Sequence, residues 1–135
     1  MKLNADVVIV GSGVAGLFSA LNLSEEQEII LITKSDLESS DSFLAQGGIC
    51  VLRDEKDYDS YFEDTMKAGH YENRKESVDI MIRNSRDIIN DLVKYGVEFE
   101  KKDGKFAYTR EGAHSRPRIL FHEDVTGKEI TGKLL

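Results

Sequence analysis

The chain has 135 residues, 40% of them hydrophobic and 32% charged, which is ordinary for one soluble globular domain with a hydrophobic core. Its 18 basic and 25 acidic residues leave a net charge of −7, which argues against electrostatic binding to nucleic acid or anionic membranes. Cys50 is the only cysteine, so no internal disulfide can form, and the first residues lack the apolar centre of a signal peptide. We expect a soluble, cytoplasmic protein with neither a nucleic-acid nor a membrane partner.

Residues 7–10 predict a strand buried on both faces, because a continuous Val/Ile run suits the centre of a parallel sheet. The glycines that follow predict a phosphate-binding turn. Gly11 permits a tight turn, Gly13 lets backbone N–H groups approach a pyrophosphate, and Gly16 lets the next helix pack closely on the strand. The helix dipole would favour an anion there. The motif favours a dinucleotide ligand over an ordinary turn in a ligand-free domain.

The context of the glycine motif supports this interpretation. A helical stripe follows within residues 15–23, and a second strand is predicted at residues 29–33. Together they form a βαβ unit of about thirty residues, the length that the dinucleotide fingerprint requires. The second strand ends in Thr33-Lys34-Ser35 instead of the acidic residue that binds a ribose hydroxyl, which disfavours a nicotinamide cofactor.

Residues 35–42 are rich in hydroxyls and carboxylates and predict a loop. The segment Gln46-Gly47-Gly48 follows, where paired glycines beside a planar amide could let the backbone approach a flat ring. The alternative is a β-turn before a strand at residues 49–52.

The rest of the chain predicts two helices and a hairpin. The helices span residues 57–68, with an aromatic inner face, and residues 76–94, with a broad apolar face that includes Met81 and Val93. Residues 97–99 and 106–108 predict the arms of a hairpin whose turn contains Asp103-Gly104. A helical stretch at 127–135 ends the chain. Two parallel strands are few for a dinucleotide domain, so we expect an incomplete α/β domain from a longer polypeptide.

The loop of residues 109–119, here called the arginine loop, predicts a binding site. It has no helical or strand period, and such loops carry function more often than packing. Arg110, Arg116 and Arg118 could each clamp a carboxylate, and Glu111 could receive an ammonium group. The alternative for each arginine is an exposed salt bridge. The histidines lack partners at ligand spacing, so no metal site is predicted.

Four segments resemble the succinate dehydrogenase/fumarate reductase flavoprotein family in their order and spacing. They are G-S-G-V-A-G at 11–16, S-F-L-A-Q-G-G at 42–48, T-R-E-G-A-H-S at 109–115 and D-V-T-G-K-E at 124–129. Within this family the chain most resembles the branch that oxidises L-aspartate. The resemblance implies FAD as cofactor, conversion of L-aspartate to iminoaspartate, and reoxidation of the flavin by oxygen or fumarate. It also implies a place in de novo NAD synthesis, coupled to quinolinate synthase.

The resemblance carries over residue by residue. It implies that the glycine loop binds the FAD pyrophosphate, that Lys34 lies by the adenosine and that residues 41–48 run along the flavin. Glu111 matches a glutamate typical of the aspartate-oxidising branch, where it would hold the substrate ammonium. Asp41 replaces the histidine through which some relatives attach flavin covalently, so the FAD should be non-covalent. The expected cofactor-binding residues are Gly11, Ser12, Gly13, Val14, Ala15, Gly16, Lys34, Asp41, Ser42, Phe43, Leu44, Ala45, Gln46, Gly47 and Gly48.

The predicted fold is therefore a Rossmann-like FAD-binding βαβ unit with added helices and a small hairpin. We expect residues 1–135 to be the N-terminal part of an FAD-binding domain. The family's catalytic residues, capping domain and helical C-terminal domain lie beyond these residues, so no catalytic residue is expected here and the chain alone should be inactive. Two alternatives stay open: a fragment of a fumarate reductase or succinate dehydrogenase flavoprotein, and a nucleotide-binding module without chemistry of its own.

Overall fold

A computed structural model describes residues 2–135, which divide into two compact units. The first unit runs to Gln46 and also contains Val125–Leu135, and the second is Gly47–Asp124. The helices are α1 (Val14–Leu21), α2 (Asp41–Leu44), α3 (Tyr58–Ala68), α4 (Lys75–Lys94) and α5 (Thr126–Leu134). The strands are β1 (Val7–Val10), β2 (Ile29–Ile32), β3 (Ile49–Cys50), β4 (Lys101–Lys102), β5 (Lys105–Phe106) and β6 (Ile119–Leu120).

The first unit contains the predicted βαβ unit. Strands β1 and β2 are parallel, with Val7 opposite Ile29 and Val10 opposite Ile32, and α1 connects them. The carboxylate of Asp6 accepts a hydrogen bond of 2.8 Å from the backbone N–H of Glu28, which fixes the start of the pair. The α/β fold class is thereby confirmed.

The prediction that β1 is buried on both faces is wrong for this chain. Val8 and Val10 are 57% and 80% exposed, whereas Val7 and Ile9 on the other face are half-buried. Helix α1 packs near the methyl of Ile9, so it covers one face only. The burial expected of a parallel strand needs layers on both faces of the sheet, and a Val/Ile run does not report which layers one chain supplies.

Part of the predicted loop at residues 35–42 is helical. A 3₁₀ turn spans Leu37–Ser39, and the short helix α2 begins at Asp41 because the Ser40 hydroxyl accepts a hydrogen bond from Phe43 N. Helix α5 confirms the helical stretch predicted at the end of the chain. It packs against α2 through Gly127, whose N–H donates to Ala45 O at 2.9 Å.

The second unit is built around α3 and α4. Both helices were predicted within one residue of their ends, and their apolar faces enclose a core with Leu52. Met81 and Val93, predicted on the inner face of α4, are instead 46% and 40% exposed, because they lie at the margins of its broad apolar stripe. The buried hydrophobic cluster consists of Leu52, Tyr61, Met66, Val78 and Ile82.

Two small antiparallel pairs complete the second unit. Strand β3 pairs with β6, and Thr109 bridges to Ile119 at the base of the arginine loop. Strands β4 and β5 form the predicted hairpin, and Asp103 and Gly104 both have positive φ, as its tight turn requires. Of the predicted arms, Phe106 lies in β5 and pairs with Lys101, but the prediction of an arm at residues 97–99 is wrong, because Val97 and Phe99 are buried in the core instead. No helix among residues 2–135 is long and apolar enough to cross a bilayer.

Candidate functional site

The first unit has a cleft of about 630 Å³ at the carboxyl ends of β1 and β2. Its volume lies within the range of about 300–1,000 Å³ that is usual for ligand and cofactor pockets. In parallel α/β sheets this end is where ligands bind, next to the N-terminus of the following helix. The cleft brings together residues that are distant in sequence. Its lining consists of Val10, Gly11, Ser12, Gly13, Ile32, Thr33, Lys34, Ser35, Ser39, Ser40, Asp41 and Ser42.

Two glycines of the loop have structural roles that confirm the sequence argument. Gly11 has a φ of +110°, a conformation that side chains rarely adopt. A Cβ on Gly16 would lie 2.1 Å from the backbone oxygen of Gly11 and 3.3 Å from a methyl of Ile9. Glycine at position 16 is therefore what allows α1 to pack this closely on β1.

Hydroxyl groups fix the shape of the loop, and of these the sequence predicts Ser12 and Ser42 at the cofactor site but not Thr33. Ser12 is buried and donates to the hydroxyl of Thr33 at 3.1 Å, while Gly11 N donates to Ile32 O at 2.8 Å, so the loop is tied to the end of β2. The Ser42 hydroxyl accepts from Val14 N, the first residue of α1, at 3.1 Å. Residues 35–40 are predicted only as a loop, although Ser35, Ser39 and Ser40 line the cleft together with the predicted residues Asp41 and Ser42.

The predicted cofactor residues do not all line this cleft. Gly11, Ser12, Gly13, Lys34, Asp41 and Ser42 do so. Phe43 lies beneath the ammonium of Lys128, 6.0 Å from the ring centre, and Ala45 accepts from Gly127, so both contact α5.

Glu111 in the second unit is exposed and lies against the backbone of Gly47. A Cβ on Gly47 would be 3.3 Å from its carboxylate oxygen Oε2, so the two predicted site residues are brought together. At Gly48 a Cβ would lie 2.2 Å from the backbone oxygen of Leu120. Gly48 is therefore required for the close approach of β3 to β6.

The sequence allows Arg118 to clamp a substrate carboxylate, but the structure shows another role. Arg118 is fully buried and binds two carboxylates of its own chain. Its Nε and Nη2 donate to the two oxygens of Asp57 at 3.1 and 2.9 Å, and its Nη1 donates to Asp64 at 2.6 Å. Arg110 and Arg116 remain exposed. Burial alone would raise the pKa of both aspartates, but the hydrogen bonds from Arg118, Ser60 and Ser115 outweigh it and hold each pKa below its usual value.

The two aspartates were missed by the sequence argument. Asp57, Ser60 and Asp64 are spaced at i, i+3 and i+7 beside the apolar face of α3, so they share one side of the helix. Ser60 also donates to Asp57 and accepts from Arg118 at 3.0 Å. Carboxylates on the inward side of an amphipathic helix need a buried cation, and this was the signal that could have found them.

His114 lies between Arg118 and Cys50. A guanidinium can only donate, so its contact of 3.0 Å makes His114 Nδ1 an acceptor and places the ring proton on Nε2. That nitrogen then donates to the Cys50 sulfur at 3.2 Å. Burial and the Arg118 charge lower the pKa of His114, and burial raises the pKa of the Cys50 thiol. Both groups are therefore neutral near pH 7, and the thiol is not an activated nucleophile.

The comparisons with known proteins agree with this architecture. The chain is 50% identical to the L-aspartate oxidase of Clostridium perfringens, covering all of this chain and 31% of that protein. It is 44% identical to the L-aspartate oxidase of Clostridium acetobutylicum, covering 96% of this chain and 30% of that protein. Residues 6–135 match the FAD binding domain family. The chain belongs to that family.

Solved structures give the same assignment. An E. coli quinol fumarate reductase superposes with a TM-score of 0.91 at 27% identity, covering 99% of this chain and 24% of that one. Mycobacterium smegmatis Sdh1 superposes with a TM-score of 0.88 at 30% identity, covering 96% and 23%. The predicted resemblance and the prediction of FAD are confirmed. The chain spans about a third of the length of the two L-aspartate oxidases.

The cleft of this FAD-binding domain fits the phosphate end of its cofactor. Helix α1 points its N-terminus at the cleft, and its N-cap residue, Gly13, has no side chain that could bind the free N–H groups. The first N–H groups of a helix have no partners within it, and a Cβ at Gly13 would crowd the Ser42 hydroxyl at 3.1 Å. Ser42 already accepts from Val14, so a phosphate would use the other N–H groups of the turn, with Lys34 supplying positive charge.

Proposed function

We propose that residues 1–135 form the N-terminal part of the FAD-binding domain of an enzyme that oxidises L-aspartate to iminoaspartate in de novo NAD biosynthesis. The support is twofold. Relatives that are 50% and 44% identical are L-aspartate oxidases, whereas the fumarate reductase and Sdh1 structures are 27% and 30% identical. Glu111, the residue typical of the aspartate-oxidising branch, lies against the Gly47 backbone.

In this proposal the first unit holds the cofactor without a covalent bond. The glycine turn and the N-terminus of α1 bind the pyrophosphate, and Lys34 offsets its charge. Asp41 stands where a flavin-linking histidine would be, so acid precipitation should leave all flavin in solution. When bound, FAD supplies the two-electron acceptor for the oxidation.

Glu111 provides the selectivity for aspartate. Aspartate differs from succinate and fumarate by its ammonium group, so an enzyme that prefers aspartate must recognise that group. The carboxylate of Glu111 is exposed and can accept a charge-assisted hydrogen bond from it. In the complete enzyme oxygen or fumarate would reoxidise the flavin, and the unstable iminoaspartate would pass to quinolinate synthase.

The test replaces Glu111 by Gln in the complete gene product, purified with FAD. Loss of one charge-assisted hydrogen bond costs about 2–3 kcal/mol, so kcat/KM for aspartate should fall ~30- to 150-fold. Fumarate has no ammonium, so its reduction by the reduced enzyme should change less than about twofold.

Glu72→Gln is the matched control, because Glu72 is an exposed glutamate of the same unit and lies outside the arginine loop. It should leave both activities unchanged. A parallel loss of aspartate oxidation and fumarate reduction in Glu111→Gln would show that Glu111 is structural. The chain would then be assigned only to a flavoprotein of this family, without a specified substrate.

A further inference from the structure

The arginine loop is held by one carboxylate of α3. Asp64 Oδ2 accepts three hydrogen bonds: from Ser115 N at 2.7 Å, from the Ser115 hydroxyl at 2.7 Å and from Arg118 Nη1 at 2.6 Å. Two residues of the loop are thus tied to a single oxygen atom. Charge-assisted bonds of this length are the stronger kind, so Asp64 fixes this half of the loop on the helix.

Arg118, the second loop residue that Asp64 binds, is itself held by further contacts. The other nitrogens of the guanidinium are bound to both oxygens of Asp57 and to Ser60, at the start of α3. The Tyr61 ring lies 4.9 Å below the guanidinium carbon. Movement of Arg118 with Ser115 would weaken these contacts, so they resist a shift of the loop.

The loop needs this restraint because of its conformation between Glu111 and Ser115. Ala113 has a φ of +67°, the left-handed region that residues with a Cβ disfavour. Such a residue persists only where its neighbours are held from outside. On one side Glu111 O accepts from His114 N at 3.3 Å, and on the other Ser115 is bound to Asp64.

We propose that Asp64 is a positioning residue for substrate recognition: by binding Ser115 and Arg118 it holds Ala113 in its left-handed turn, and this places the Glu111 carboxylate against Gly47. The inference rests on the proposed function, because Glu111 is the group through which Asp64 acts. Asp64 touches neither substrate nor cofactor in this role. Its effect should therefore fall on recognition of the ammonium group.

The first measurement compares Asp64→Ala with Asp59→Ala in the complete, FAD-loaded gene product. Asp59 is an exposed aspartate of the same helix and serves as the matched control. Misplacing a binding group by about 1 Å can cost up to a hundredfold, so we expect Asp64→Ala to lower kcat/KM for aspartate about tenfold, mainly through KM. Fumarate reduction should change less than about twofold, and Asp59→Ala should change neither activity.

Asp64→Asn separates a positioning role from a purely structural one, and it also serves if Asp64→Ala fails to fold. An asparagine keeps an acceptor oxygen for Ser115 but loses the charge that binds Arg118. It should therefore recover at least half of the aspartate selectivity, measured as the ratio of the two activities. An Asp64→Asn protein that folds but reduces both activities equally would overturn the inference.

A double-mutant cycle decides whether Asp64 acts through Glu111. In the Glu111→Gln background, Asp64→Ala should lower aspartate oxidation by less than about twofold, because the group that it positions is already gone. Fully multiplicative losses would overturn the inference while leaving the assignment of Glu111 intact. If Glu111→Gln alone failed to separate the two activities, the proposed function would fall, and the positioning role would fall with it.

Discussion

Replacement of Gly16 by Ala tests the geometry of the cofactor loop most directly. The added Cβ would lie 2.1 Å from the backbone oxygen of Gly11, whereas comfortable C···O contacts begin at about 3.3 Å. Either α1 or the Gly11 turn must therefore move by about 1.2 Å. No side chain can rotate to relieve this contact, because the opposing atom belongs to the backbone.

The expected change in the free energy of unfolding for Gly16→Ala is the sum of two opposing contributions. Overpacking of a tight contact destabilises by about 1–3 kcal/mol, and the upper value applies where backbone must shift. Alanine is a better helix former than glycine by about 1 kcal/mol, which offsets part of this. The net effect of Gly16→Ala should be a loss of about 2 kcal/mol in the free energy of unfolding.

Gly132→Ala is the matched control in α5. A Cβ at Gly132 meets nothing within 4 Å, so only the gain in helix propensity remains, up to about 1 kcal/mol of stabilisation. Urea unfolding of both variants should thus give shifts of opposite sign. Because the displaced turn faces the cleft, Gly16→Ala should also lose bound FAD, measured by flavin absorbance. A Gly16→Ala protein with native stability and full FAD would refute the packing argument.

The elements that sequence predicted well are those whose signal is local. The aliphatic runs of β1 and β2 and the long apolar stripe of α4 each repeat one pattern over several residues. Helix α2 has four residues and no such repeat. It forms because Ser40 caps it and because α5, some eighty residues later, packs against it, and neither contact has a periodic signal.

The hairpin likewise combines a turn that local sequence predicts with arms that depend on packing. Its Asp-Gly turn was predictable, because both residues adopt positive φ and few residue types do so readily. Its arms were not, because Val97 and Phe99 could either pair as a strand or enter the core. Packing of the second unit decides between these states, and both residues are buried.

The candidate site was predictable for the residues that a motif marks, and less so for their neighbours. Glu111 and the glycine turn stand in recognisable motifs. Arg116 and Arg118 look equivalent in sequence, yet one is exposed and the other fully buried. Their difference is set by Asp57, just before α3, and Asp64 on α3, more than fifty residues earlier, through ion pairs that no local pattern encodes.

The buried ion cluster of Arg118 gives the remaining predictions. Arg118→Ala should lower the free energy of unfolding by about 3–5 kcal/mol, because it leaves buried Asp57 unpaired, whereas Arg116→Ala should change it by less than about 0.5 kcal/mol. If urea unfolding showed the same loss of free energy for both variants, the buried contacts of Arg118 would contribute nothing to stability. Burial opposes ionisation of Asp57, but its bonds to Arg118 prevail and hold its pKa below the ordinary 3.8. A lowered folded pKa stabilises the protein above the unfolded pKa, and this stabilisation is lost as the pH falls through the folded value. The stability difference between the wild type and Asp57→Asn should therefore be greatest above about pH 5 and shrink below about pH 4, as measured by urea unfolding across that range. A difference that stays constant from neutral to acid pH would mean that the Asp57 carboxylate gains no stabilisation from Arg118.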